Sequence, residues 1–178
     1  ASEDIRFYEH HGVDWRSVMR AVVVDTIDSI KARELTFTQG ASTITMQLVR
    51  NVIDERETTM NRKIKEALLA LQFEKSYEKT DVLYYYLNEI YIGPQVYGMQ
   101  AASEYYFGKD VGEISLSEAA LLVAILRNPG YYSPYSNPER VLPVRNTVLN
   151  LMVEYDAEKY GYLAEAAKAE PIVVYEGG

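Results

Sequence analysis

The chain has 178 residues, 48% of them hydrophobic, which is enough for one domain with a sizeable core and excludes general disorder. Its formal net charge of -8, from 26 acidic and 18 basic residues, argues against a nucleic acid or an anionic membrane bound over the whole surface. Cysteine is absent, so the chain has no disulfide framework and no thiolate metal site.

The chain opens on an unusually dense group of charged and aromatic residues, Glu3 to Gly12. Carboxylates, a guanidinium, two imidazoles and two aromatic rings precede the closing glycine. No helix or strand pattern requires such a set, so this stretch is predicted to do more than pack.

Helical spacing of apolar residues predicts the next elements. Asp14 is predicted to cap a helix over residues 14–34, and Ser42 is predicted to cap a second helix after a break at 36–41. A third helix is predicted from about Met60 to Ser76. Its inward residues are predicted to be Ile64, Ala67, Leu68 and Leu71.

The second half also follows a helical pattern. Ser115 and Glu118 form a capping box ahead of an almost wholly apolar helix. The other predicted helices are Lys79 to Tyr91 with Val82 and Tyr86 in its apolar stripe, Gly98 to Phe107, a long helix from Asn137-Pro138 to about Tyr155 that Pro143 kinks or delays, and about Tyr160 to Ala169. Pro171 to Tyr175 is β-prone, and the fold class is predicted to be mostly α.

Two glutamates and a group of cations are candidates for chemistry. Glu3 and Glu66 each have an ordinary explanation, since Glu3 suits a solvated surface and Glu66 lies four residues after Arg62 on one helix face. Paired carboxylates are nevertheless the usual groups for glycosidic-bond chemistry. The cations suit a pyrophosphate or form a solvated charged face; they are Arg50, Arg56, Arg62, Lys63 and Lys65.

Two other candidates have simpler explanations. His10 and His11 favour packing or hydrogen bonding over metal binding, because no further ligands of the usual kind accompany them. Ser42 favours helix capping over a nucleophilic role, because nothing resembling a nucleophile elbow surrounds it.

Taken together, these stretches resemble the peptidoglycan glycosyltransferase family, the polymerase domain of class A penicillin-binding proteins and of monofunctional glycosyltransferases. Five motifs occur in the family's order over nearly the entire chain. They are Glu3-Asp4-x-Arg6-Phe7-x-x-His10-x-Gly12, Gly40 to Gln47, Arg62-Lys63-x-x-Glu66, Tyr86-Leu87-Asn88 with Tyr91-x-Gly93, and the region from Tyr106-Phe107-Gly108 to Pro134.

The resemblance implies a lysozyme-like, two-lobed helical fold with a head and a membrane-facing jaw, covering residues 1–170, with residues 171–178 as a tail or the start of a linker. It also implies an inverting, processive enzyme that polymerises lipid II into β-1,4 glycan strands and releases undecaprenyl pyrophosphate. Glu3 is then the general base, and Asp4, Arg6 and His10 form its supporting shell.

The same resemblance places Ser42, Gln47, Arg50 and Lys63 at the substrate and gives Glu66 a catalytic role at the donor's pyrophosphate. It allows for a divalent cation, Mg²⁺ or Mn²⁺, at Glu66, and for no organic cofactor. The sequence departs from the family pattern at three positions: Ala41 for a glycine, Met46 for a glutamine that would line the cleft, and Thr58 for an arginine that Arg56 would have to replace.

The partners implied are lipid II, the growing glycan strand and a membrane reached through an N-terminal anchor, with a transpeptidase domain as a further expectation and no nucleic acid. The native protein is expected at the extracytoplasmic face of the bacterial cell membrane. Two alternatives stay open: a lytic enzyme that cleaves the same glycan, and a non-catalytic binder of lipid-linked pyrophosphates.

Overall fold

The computed structural model describes residues 3–20, 42–53 and 60–175 of the chain. These residues form two compact units, one from Glu3 to Tyr86 and one from Leu87 onward. Helices dominate both units, which confirms the predicted mostly α class. None of the helices in the described ranges combines the length and the apolar character needed to cross a membrane.

The first unit contains four helices within its described residues. Its small core joins Val13, Met46, Val49 and Ala70, with Leu71 packed against them. The helices are α1, described over residues 15–20, α2 (Ile44–Val52), α3 (Met60–Phe73) and α4 (Lys79–Glu89), whose last residues belong to the second unit. The predicted course of α1 over residues 21–34 lies outside the described residues.

The N-cap of α2 lies one residue later than predicted. Thr43, and not Ser42, is the N-cap, because its hydroxyl accepts a hydrogen bond from the backbone N–H of Met46. The hydroxyl of Ser42 is thereby left to contact other side chains. The prediction of Ser42 as a helix cap is therefore wrong.

Helix α3 buries a polar face. Its buried positions are Arg62, Glu66 and Ala70, which follow one another at a spacing of four residues. Ile64 and Leu68 were predicted to face inward and are instead 54% and 61% exposed. The prediction holds for Ala67 and Leu71, which pack against the core, and is wrong for Ile64 and Leu68. An ionic cluster around Glu66, described below, turns the face with Arg62, Glu66 and Ala70 inward.

The second unit begins with a short antiparallel hairpin that the sequence pattern did not predict. Strand β1 (Tyr91–Gly93) pairs with β2 (Val96–Tyr97), with Tyr91 opposite Tyr97. The tight turn between them holds Gln95 at a positive φ of 61°. Helix α5 (Met99–Phe107) follows and ends at Gly108, whose φ of 64° gives the left-handed cap expected of a glycine.

Helix α6 (Leu116–Leu126) supplies most of the second unit's core. The predicted capping box of Ser115 and Glu118 is present in both directions. Leu121, Leu122 and Ile125 are at most 2% exposed and pack with residues of α5 and the hairpin. The almost unbroken apolar run is thus explained by burial on several sides of the helix.

The last two helices close the second unit. Helix α7 (Pro138–Tyr155) starts at its first proline, so Pro143 does not delay the start. Helix α8 (Ala157–Ala169) follows after Asp156. The tail to Tyr175 runs without helix or strand assignment, and its last described backbone N–H donates to the carbonyl of Tyr106 at 2.8 Å.

Candidate active site

The opening motif, Glu3 to Gly12, is held against the start of α2 by hydrogen bonds. The backbone N–H of Ile44, the first residue of α2, donates to Oδ2 of Asp4 at 3.1 Å. Nε2 of His10 lies 3.0 Å from the same carboxylate, and both side chains are at least nine-tenths buried. A carboxylate at a helix N-terminus is favoured by the unpaired N–H groups and by the helix dipole. Asp4 therefore holds the motif against α2, and His10 holds Asp4.

A second link joins the end of the motif to the cap of α2. The hydroxyl of Thr43 donates to the carbonyl of Gly12 at 2.6 Å. Gly12 has a φ of +78°, and a Cβ atom placed on it would lie 2.5 Å from the carbonyl oxygen of Ala70. Only glycine fits this position, because both the backbone conformation and the close approach of α3 exclude a side chain.

Arg6 ties the motif to the start of α1. Its Nε and Nη2 donate to the carboxylate of Asp14 in a fork, and the hydroxyl of Ser17 donates to Asp14 Oδ2 at 2.6 Å. Burial alone would raise the pKa of Asp14, but the hydrogen bonds from Ser17 and Arg6 and the charge of Arg6 lower it to about 2. Asp14 is thus held ionised, and Arg6 is fixed by it.

Glu3 lies at the other end of the same motif and contacts α2 through Gln47. Nε2 of Gln47 donates to Oε2 of Glu3 at 3.4 Å. Glu3 as a whole is only half-buried, and Gln47 supports one oxygen of its carboxylate. This combination suits a group that exchanges a proton with a bound molecule.

A cluster of cations surrounds Glu66, whose side chain is 0% exposed. Arg50 Nε donates to its Oε1 at 2.9 Å, and Lys63 Nζ donates to its Oε2 at 2.8 Å. Arg62 Nε lies 3.1 Å from Oε1 as a third cation. The Ser42 hydroxyl accepts from Arg50 and from Lys63, so one serine and one carboxylate fix both cations.

The cluster carries more positive than negative charge. Burial alone would raise the pKa of Glu66, but hydrogen bonds from Arg50 and Lys63 outweigh it and lower the pKa below its usual value. Glu66 is therefore ionised, and three cationic side chains share its single negative charge. Arg50 and Lys63 keep 36% and 27% of their side chains exposed, so the excess charge is accessible from outside.

A divalent cation at Glu66 stays a prediction. Both carboxylate oxygens already accept from cationic groups, and Mg²⁺ or Mn²⁺ would need several oxygen ligands close together. Within residues 3–20, 42–53 and 60–175, no group of three or more His, Asp and Glu side chains is arranged to hold a metal ion. The positive charge at this site comes from arginine and lysine.

A group of contacts around Glu74 and Lys79 was not predicted. The hydroxyl of Thr45, on α2, donates to the carboxylate of Glu74, which also pairs with Lys79 at 2.7 Å. The Lys79 ammonium lies 4.3 Å from the ring centroid of Phe7, within the range of a cation–π contact. No pattern in the sequence predicted this contact, and Phe7 was named only as a residue of the first motif.

The structure therefore places the predicted site residues in two groups, both on the first unit. Glu3 and Gln47 form one, with Asp4, Arg6 and His10 around the motif; Ser42, Arg50, Lys63 and Glu66 form the other. Met46 is 5% exposed and packs in the core with Val13, so the expectation that it faces a cleft is wrong. Ala41, Arg56 and Thr58 lie outside the described residues.

Comparison with known proteins identifies the family. Residues 1–153 match the family described as Transglycosylase. Penicillin-binding protein 1A of Aquifex aeolicus is 46% identical over 154 residues, covering 86% of this chain and 20% of that protein. Penicillin-binding protein 1B of Haemophilus influenzae is 43% identical over 158 residues, again covering 86% of this chain and 20% of the relative.

A solved structure agrees with these matches. The crystal structure of penicillin-binding protein 1A from Haemophilus influenzae superposes with a TM-score of 0.52 at 35% identity, covering 56% of this chain and 15% of that one. The chain spans about one fifth of the length of the curated relatives it matches. It belongs to the transglycosylase family and is a peptidoglycan glycosyltransferase domain of the kind found in penicillin-binding proteins.

Proposed function

We propose that this domain polymerises lipid II into β-1,4 glycan strands by an inverting, processive reaction that releases undecaprenyl pyrophosphate. The 4-hydroxyl oxygen of the acceptor's GlcNAc forms a bond to the donor's anomeric carbon. The bond from that carbon to the pyrophosphate oxygen breaks, and its electron pair leaves with the lipid pyrophosphate. The hydroxyl proton goes to Glu3.

The observation that carries this proposal is the spacing of two contacts on α2. Gln47 contacts the carboxylate of Glu3, and Arg50, three residues later, contacts Glu66. Residues at this spacing are neighbours on a helix surface, about 4.5 Å apart along the axis. A single helix turn thus joins the proposed base to the cations that would receive the leaving group.

The two groups suit the two ends of the reaction. Glu3 is half-buried and has one hydrogen bond from Gln47, which orients a carboxylate without closing it off. Arg50 and Lys63 are held by Ser42 and Glu66 before any substrate arrives, so they stabilise the departing pyrophosphate without reorganising. Glu66 is fully buried and therefore acts on the pyrophosphate through these cations.

The wider setting of the domain belongs to the same proposal. We expect a membrane anchor before the first motif, a position at the extracytoplasmic face of the bacterial membrane and a transpeptidase domain in the same protein. The support is the family membership and the length of the penicillin-binding proteins that the chain matches in part. Lipid II and the growing strand are then the partners of the site.

Three features disfavour the alternatives. A lytic enzyme breaks an uncharged bond and has no use for three cations gathered on a buried carboxylate. A non-catalytic binder would be favoured if Met46 took a hydrogen-bonding group out of the site, but Met46 is a core residue. Half-buried Glu3 beside Gln47 has no evident role in a protein that only binds.

Product analysis tests the proposed reaction. Full-length protein in detergent micelles is incubated with lipid II, and the products are examined for anomeric configuration, strand length and released lipid. We expect β-1,4 linkages and released undecaprenyl pyrophosphate. A processive enzyme should also make long strands while most of the lipid II is still unused. Release of sugar fragments from purified glycan strands, without polymerisation of lipid II, would instead establish the lytic reaction.

A further inference from the structure

The side-chain amide of Gln47 is held at both ends. Its Nε2 donates to Oε2 of Glu3 at 3.4 Å, and its Oε1 lies 3.1 Å from the hydroxyl of Tyr86, which donates to it. Tyr86 lies on the buried face of α4 and is only 5% exposed. A chain of hydrogen bonds therefore runs from the interior of the first unit to the carboxylate of Glu3.

The chemistry of these groups allows one orientation of the amide. An ionised carboxylate only accepts hydrogen bonds, so Glu3 requires the NH₂ end of Gln47. The oxygen end must then accept, and the Tyr86 hydroxyl is its donor. Burial, and in lesser measure the negative charge of Glu3, raise the pKa of Tyr86 above its ordinary value, so the hydroxyl keeps its proton.

Without this hydroxyl, Glu3 is the one described residue that still fixes the amide, so Gln47 is held at one end and is free to turn away from the carboxylate. Rotation of Gln47 by half a turn would place Oε1 against the Glu3 carboxylate, where two acceptors repel each other. Oε1 would also lose the hydroxyl that donates to it, which is costly for a polar atom away from water. Tyr86 therefore holds the Gln47 amide by a hydrogen bond, in addition to packing beside Val82 on the buried face of α4.

We propose that Tyr86 is a positioning residue for the polymerisation reaction: its hydroxyl fixes the Gln47 amide so that Nε2 holds the Glu3 carboxylate ready to accept a proton. The inference rests on the proposed role of Glu3 as the base. It gives Gln47 a role in positioning the proposed base, in addition to the role at the substrate that the family resemblance implies.

A double-mutant cycle tests the proposal in the full-length protein with lipid II as substrate. The variants are Tyr86→Phe, Gln47→Met and the two combined, and Gln47→Met keeps the length of the side chain but has no amide. We expect Tyr86→Phe to lower kcat about tenfold, as the loss of one well-placed hydrogen bond would, with KM changed less than about twofold. In the Gln47→Met background, the same change should lower kcat no further.

Tyr106 offers a matched control in the second unit. It is 2% exposed, and its hydroxyl donates to the backbone carbonyl of Ile92 at 3.0 Å. Tyr106→Phe therefore removes the same atom from a similar environment and should lower the melting temperature about as much as Tyr86→Phe. It should leave kcat at the wild-type value.

Three results would overturn the inference. Wild-type kcat in Tyr86→Phe, or an equal loss in the presence and absence of the Gln47 amide, would reduce Tyr86 to a packing residue. If Tyr86→Phe does not fold, the Gln47→Met variant is the test. A rise in KM with unchanged kcat in that variant would contradict the proposal that Gln47 positions the base. Absence of polymerisation by the wild-type protein would be a different result, since it would refute the proposed function itself.

Discussion

The carboxylate of Asp4 accepts the backbone N–H of Ile44 at 3.1 Å, so an acidic side chain of the opening motif completes the N-terminus of α2 from forty residues away. The same helix carries Gln47 and Arg50, which contact the two proposed functional carboxylates. The position of Glu3 relative to α2 therefore depends on the residue beside it in the sequence.

Asp4→Ala should destabilise the domain. The change removes the acceptor for Ile44 and the partner of His10, and we expect a loss of about 1–2 kcal/mol in the free energy of unfolding. Asp110→Ala is the control, because Asp110 accepts a backbone N–H in an exposed turn and should cost less than about 0.5 kcal/mol. Urea denaturation measures both, and equal losses would remove the special role of Asp4.

Two glycines should respond in opposite directions to the same substitution. Gly12→Ala forces a Cβ atom to 2.5 Å from Ala70 at a positive φ, and should cost more than about 2 kcal/mol. Gly161→Ala lies inside α8, where a Cβ atom meets nothing within 4 Å, and should stabilise by about 0.5–1 kcal/mol. Thermal unfolding compares them; a tolerated Gly12→Ala would contradict the described packing of the motif on α3.

The stabilising effect of Asp14 should disappear in acid. Its folded pKa of about 2 lies below the ordinary value of 3.8, so its ionised form stabilises the fold above pH 4 and this contribution is lost as the pH falls towards 2. The shift corresponds to stabilisation on the order of 2 kcal/mol. The difference in unfolding free energy between wild type and Asp14→Asn should therefore shrink between pH 5 and pH 2, as followed by urea denaturation. A constant difference would contradict the ionised, hydrogen-bonded state of Asp14.

Removing the Glu66 carboxylate should lower the free energy of unfolding far more than removing one of the cations around it. Glu66→Gln leaves three cations without their shared carboxylate, and we expect a loss of about 3 kcal/mol or more. In Lys63→Met, Glu66 keeps both arginines, and the part-exposed lysine should cost less than about 1 kcal/mol. Equal unfolding free energies for the two variants would show that Glu66 does not organise the cluster.

Local chemistry explains what the sequence predicted correctly. Two such features are the capping box of Ser115 and Glu118 and the left-handed cap at Gly108. Each depends on residues only a few positions apart, so the amino-acid sequence is sufficient to predict it. Helix α3 shows where this fails. Its inward face is determined by the ion pairs of Glu66, one of which is with Arg50, sixteen residues away. The apolar periodicity of α3 gives no information about these pairs.

The candidate site shows the same division. The family's motifs gave the identity of Glu3, Gln47, Arg50 and Lys63, but not which of them touch. Periodicity placed Tyr86 on an inward stripe, yet its contact with Gln47 joins residues 39 positions apart and depends on the packing of two helices. The shift of the α2 cap from Ser42 to Thr43 is a change of one residue, but it turns Ser42 from a structural residue into a ligand for two cations.

The most direct test of the account compares two glutamates of the opening motif in lipid II polymerisation by full-length protein. Glu3→Gln keeps the size of the proposed base but cannot accept the proton, whereas Glu9 is exposed and Glu9→Gln makes the same chemical change outside the site. We expect Glu3→Gln to unfold at the wild-type temperature within about 2 °C and to lose at least about a hundredfold in kcat, with Glu9→Gln fully active. Polymerisation at the wild-type rate by Glu3→Gln would contradict the central claim that Glu3 is the base.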